Sequence, residues 1–121
     1  MRAMARLKIT LIFGSGARIG PGKAALLESV RDTGSISGAA RAMGMDYKRA
    51  WMLIDSLNRA FDTAVVERAT GGSGGGGATL TSFGADVLAR YRRLQAGATE
   101  LGTGDLRVLE QHALPDAGPK V

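Results

Sequence analysis

Residues Ser35 to Asn58 read SISGAARAMGMDYKRAWMLIDSLN, and the order of residue types along this stretch decides the fold. Ala39, Ala40 and Met43 recur at helical spacing after Ser35 and Ser37, either of which can cap a short helix. Gly44 follows four residues after Ala40, where a positive φ turns the chain sharply. Asp46 can then cap a second helix. In it Ala50, Leu53, Ile54, Leu57 and Phe61 form an inward stripe, with Tyr47, Lys48, Arg49, Asp55 and Arg59 on the other face. Two helices joined by so short a turn approach closely, and Ala40 removes the side chain that would hold them apart. The pattern predicts a helix-turn-helix.

Upstream, Leu7, Ile9, Leu11 and Phe13 alternate with Arg6, Lys8, Thr10 and Ile12, the period of a strand with one buried face. Gly14 to Gly16 turns the chain, and Ala17 to Ile19 is placed to return as a second strand of a hairpin. After Gly20-Pro21-Gly22, the spacing of Ala24, Leu26, Leu27 and Val30 predicts a helix ending near Asp32, stopped by Thr33-Gly34. Downstream, Ala64 to Thr70 reads as a strand and Ala78 to Leu80 as its return partner, joined by Gly71 to Gly77 with six glycines and Ser73. Thr81 caps a last helix carrying Phe83, Val87, Leu88, Tyr91 and Leu94. Past Leu94 the pattern weakens, since Gly97, Gly102 and Gly104 are expected to interrupt it. A helical turn or two is expected to recover between Asp105 and Ala113.

A chain of 121 residues has room for one modest core. No apolar run approaches the roughly twenty residues that span a bilayer. The opening MRAMARLKITLIF alternates too regularly for a signal peptide, so no membrane association is expected. With no cysteine and a single His112, thiolate metal sites and cysteine nucleophiles are excluded, and a reducing cytoplasm is the expected location. The net charge of +5 is unevenly spread. Residues 1–93 hold fourteen Lys/Arg against seven Asp/Glu, residues 94–121 two against four. The basic part is the part that holds the helix-turn-helix, and its field favours a polyanionic partner.

A helix that enters the major groove needs long polar side chains near its N-terminus, which Tyr47, Lys48 and Arg49 supply. Three polar residues on a helix are more often a solvated face. The Ala40-to-Gly44 spacing reverses those odds here. Ser35, Ser37 and Arg41 on the preceding helix, and Arg68, Thr70, Gly72 and Ser73 around the glycine run, are candidates to hold backbone phosphates. The glycine run has a competing reading as a bare hairpin tip. Trp51 falls on the groove side of the register or its margin, yet a lone Trp is more often a core or interface residue, which is the expectation here, with Met45 and Met52 as packing residues. A nucleotide-binding loop would need lysine where Ala78 stands and a helix where a strand is expected, and no catalytic triad or carboxylate pair is visible, so no enzyme is expected.

Together RIGPGKAALLESV, TGSISGAARAMGMDYKRAWMLIDSLN and VVERATGGSGGGGATLTSFG resemble the N-terminal DNA-binding domain of ModE-type molybdate-responsive regulators, whose helix-turn-helix is similar to that of LysR-type regulators. The likeness spans about Leu7 to Leu94 and implies an α+β winged helix-turn-helix. Its parts are an N-terminal β-hairpin, a three-helix core, a Gly-rich β-hairpin wing and a long C-terminal dimerisation helix. It further implies a homodimer reading a palindromic site on double-stranded DNA, with the recognition helix at Asp46 to Ala60 and the wing at Val65 to Leu80. Two departures stand out. Asp46 occupies a position where the family more often has Ser. Nothing after Leu94 resembles the family's oxyanion-binding domains, so residues 1–95 are expected to form the DNA-binding domain and 96–121 a partly helical or disordered extension. No cofactor is expected. A sensorless chain of this kind could instead be an interaction module, with a partner protein supplying the sensor.

Overall fold

The computed structural model describes residues 4–69 and 77–115. Three helices, α1 (Pro21–Thr33), α2 (Ile36–Met43) and α3 (Tyr47–Ala60), pack around the turn at Gly44. Pro21 starts α1, where its missing N–H costs nothing, and Gly34 closes it at φ 77°. Of the two candidate caps for α2, Ser35 serves: its Oγ accepts from the Gly38 N–H at 2.8 Å, while Ser37 stays exposed. Gly44 adopts φ 67°, and Asp46 Oδ1 accepts from the Arg49 N–H at 2.7 Å to start α3. Ala39 and Ala50 are fully buried and Ala40 nearly so, which lets α2 and α3 cross closely. Leu26, Leu27, Val30, Ile36, Ile54 and Leu57 complete the centre of the core, each aliphatic side chain contributing about 1.5 to 3 kcal/mol by burial.

The wing is an antiparallel hairpin of β3 (Val66–Ala69) and β4 (Gly77–Leu80), with Arg68 opposite Ala78. Hydrogen bonds tie it to the helices. The Ala78 N–H donates to the Gly34 carbonyl at 2.8 Å, and Thr81 Oγ1 donates to Ala64 O at 2.6 Å while accepting the Gly84 N–H at 2.9 Å. Ala78 is 1% exposed, so the position where a phosphate-binding loop would carry lysine belongs to the core of a strand. Thr70, Gly72 and Ser73 lie outside the described residues.

Two expectations need correction. Leu7 to Phe13 keeps its alternation of half-buried and exposed residues, yet only β1 (Leu11–Ile12) pairs with β2 (Arg18–Ile19). Pro21 turns the chain into a helix before β2 can lengthen, so side chains of α4 (Ser82–Leu101) bond the earlier carbonyls. Tyr91 Oη donates to Ile9 O at 2.6 Å and Gln95 Nε2 to Leu7 O at 3.3 Å. Second, Gly97 does not interrupt the last helix: α4 runs through it to Leu101, and α5 (Thr103–His112) follows after Gly102. A single interior glycine costs about 1 kcal/mol, too little to break a helix whose neighbours, Leu94 to Ala96 and Ala98 to Leu101, are mostly sound helix formers. The Arg92 guanidinium forks onto Glu28 at 2.6 and 2.9 Å, joining α4 to α1.

Candidate nucleic-acid interface

Because α3 winds about 100° per residue, burying Ala50, Ile54 and Leu57 forces Lys48, Met52, Asp55 and Arg59 outward in one stripe. Lys48, Met52 and Arg59 are exposed, and Asp55 Oδ2 holds the Arg59 Nε at 3.0 Å. Tyr47 and Trp51, one turn apart, occupy the flank toward the wing, and Arg49 the other flank. Arg41, Lys48 and Arg49 are exposed, and their side chains form no hydrogen bond or ion pair among the described residues.

The fold brings several of the expected site residues together. Arg68 on β3 reaches back to α3, its Nη2 lying 3.5 Å from Tyr47 Oη. Those two residues share a hollow with Ser37, Ile36 and Gly77. A residue from α2, one from the first turn of α3 and one from the wing thus line one concave strip. Trp51, Asn58 and Arg68 continue it along α3. Ser35 stands apart: it is half-buried, and its oxygen is engaged in capping α2. Arg41, in the last turn of α2, is exposed.

Three residues add to the sequence reading. Trp51 is not in the core, leaving the interface part of its expectation, and Met52 is not packed inside: they are 41% and 55% exposed. Neither position falls within the arc of α3 that Ala50, Ile54 and Leu57 bury. Only Met45 of that group packs against the core. Asn58 carries no assigned role in the sequence pattern. Its Oδ1 accepts from the N–H groups of Val65 (2.7 Å) and Val66 (3.0 Å), and its Nδ2 donates to Val66 O at 3.0 Å. It joins α3 to the start of the wing. A polar side chain one turn beyond buried Ile54 is the signal that could have found it.

A basic helix left free beside a wing, over a turn of two closely crossing helices, defines a winged helix-turn-helix of the DNA-binding kind. The chain belongs to the bacterial regulatory helix-turn-helix proteins of the lysR family, whose model matches residues 23–85. It is 44% identical over 87 residues to the molybdenum-pterin-binding protein MopB of Rhodobacter capsulatus, covering 72% of this chain and 32% of that protein. It is 46% identical over 71 residues to the transcriptional regulator ModE of Yersinia pestis, covering 59% and 27%. Over the same length it is 44% identical to the DNA-binding transcriptional dual regulator ModE of Escherichia coli K12, again covering 59% and 27%. The chain spans about a third or less of the length of these relatives. Transcriptional regulation is a non-enzymatic function. Among the described residues no helix is long and apolar enough to cross a membrane, and no cluster of His, Cys, Asp or Glu could hold a metal ion.

Proposed function

We propose that the chain regulates transcription as a homodimer that reads a two-fold symmetric DNA site, with residues 1–95 as the reading unit and 96–121 as an extension of it. The observation that carries this reading is the continuous strip made by Ser37, Tyr47 and Arg68 beside the unpaired Lys48 and Arg49. With α3 in the major groove, Lys48 and Arg49 reach guanine O6 and N7 or the adjacent phosphates. Tyr47, Ser35, Ser37, Arg41, Arg68 and the wing residues Thr70, Gly72 and Ser73 hold the sugar-phosphate strands on either side. Ser35 can still donate its hydroxyl proton while it caps α2.

Support for a second copy comes from α4 and the N-terminal hairpin. Leu94 is 53% and Leu101 90% exposed, and Leu94 borders an apolar cleft of about 370 Å³ floored by Leu11, Phe13, Phe61 and Phe83. The three phenylalanines meet edge to face at 5.5 and 5.3 Å, a firm wall for a partner helix. Selection from random duplex DNA, followed by sedimentation with and without the selected duplex, tests the reading. A symmetric motif and a dimer are expected, and Leu94→Glu should yield a monomer that binds a half-site weakly. A monomer that selects no motif contradicts it.

A second reading, an interaction module that heterodimerises with a complete regulator, is favoured by α5, where Val108 and Leu109 are exposed at 56% and 67% and no residue is buried. Mixing the chain with a ModE-type regulator and finding heterodimers in preference to homodimers would support it.

A further inference from the structure

We propose that Met52 is a base-reading residue that packs on the C5 methyl of a thymine in each half-site, making this chain selective for thymine over any unmethylated pyrimidine at that position. The inference rests on the proposal that α3 occupies the major groove.

Met52 sits at the centre of the outward stripe, one turn after Lys48, one turn before Asp55 and two turns before Arg59. A solvent face seldom gains from a large thioether there, because apolar area left in water forgoes about 25 cal/mol per Å². A lone exposed apolar residue is common on any surface. Met52 is not alone. It lines a hollow together with half-buried Leu53, Lys48, Arg49 and the helix cap Asp46. Apolar surface beside two cationic side chains that outnumber the one carboxylate suits an apolar group presented by a polyanion. In the major groove, the thymine methyl is the group of that kind that DNA displays. The unbranched thioether can follow the methyl as the helix settles, which a β-branched side chain could not do. Lys48 and Arg49 then fall on the neighbouring bases or phosphates. The first two turns of α3 thereby combine one apolar and two cationic contacts, a pattern that fits a thymine beside a guanine.

The test is a coupling measurement on the duplex recovered by selection with the unaltered chain. Each thymine is replaced in turn by deoxyuridine, which deletes only the methyl, and binding is measured for the chain and for Met52→Ala. One thymine per half-site should weaken the unaltered chain roughly 3- to 10-fold when it loses its methyl. Met52→Ala should bind the thymine duplex weaker by a similar factor and should be indifferent to deoxyuridine at that position. Met52→Leu should keep most of the methyl dependence. Losses that multiply independently, or no thymine whose methyl matters, overturn the proposal. If those results come while Lys48→Ala and Arg49→Ala still weaken binding, the groove-bound helix stands and only the role of Met52 falls. If the unaltered chain selects no duplex, both fall together. Since Met52 is exposed and alanine favours helix, the melting temperature of Met52→Ala should match that of the unaltered chain.

Discussion

Asn58 grips Val66 by both of its backbone groups, accepting from its N–H and donating to its carbonyl, each at 3.0 Å. With the Val65 N–H bonded to the same Oδ1 at 2.7 Å, one side chain near the end of α3 satisfies three backbone groups where the chain enters the wing, beside the pairing of Val66 with Leu80. Replacing it with leucine leaves three backbone groups beside buried Val65 and Val66 without partners. Asn58→Leu should cost about 2 to 3 kcal/mol, read as a lower urea midpoint with unchanged slope. A loss below about 0.5 kcal/mol would show that water can substitute for the amide.

The same residue marks where sequence reasoning stops. Gly44, Ala40 and Asp46 were legible because each meets a local demand: a positive φ, a close crossing, a cap. The wing was legible because glycine saturation between two β-prone runs has few other uses. Trp51 and Met52 were not, because periodicity tells which residues are apolar but not how wide the buried arc is. That arc is set by how α1 and α2 pack against α3. Nor does alternation in Leu7 to Phe13 tell that Tyr91 and Gln95 bond its carbonyls.

Two glycines of α4 should respond in opposite directions to alanine. A Cβ on Gly84 would collide with the carbonyl of Val65, which is bonded to Thr81, whereas one on Gly97 would meet nothing within 4 Å. Gly84→Ala should therefore destabilise by about 3 kcal/mol or more as α4 is pushed off the wing. Gly97→Ala should stabilise by roughly 0.5 to 1 kcal/mol. Thermal unfolding of the two variants side by side checks both.

Tyr91 supplies a pH dependence. Burial pushes its phenol above the ordinary 10.0, with Arg92 offsetting part of the effect. The folded chain thus holds this proton more tightly than the unfolded chain does. The resulting stability is fully present below about pH 10 and is lost as pH rises through the folded value. Tyr91→Phe should lower stability at neutral pH by about 1 kcal/mol, through loss of the bond to Ile9, yet decline less steeply in alkali. Urea titrations between neutral pH and about pH 11 would show the two curves converging. Parallel curves would assign the alkaline loss to other groups.

Arg49→Ala separates base reading from phosphate holding. If Arg49 pairs with guanine, the variant should lose about 1 to 3 kcal/mol on the selected duplex and accept other bases at that position. An equal loss on selected and random DNA would make Arg49 a backbone contact.

The central claim, that the basic face of α3 and the wing close on DNA as a symmetric pair, is tested most directly by the salt dependence of binding to the selected duplex. With Arg41, Lys48, Arg49 and Arg68 contributed twice, log K should fall against log salt with a slope on the order of −4 to −7. The selected half-sites should lie about one helical turn, or a multiple of it, apart. A flat salt dependence, or a duplex without two-fold symmetry bound by a single chain, would contradict the account.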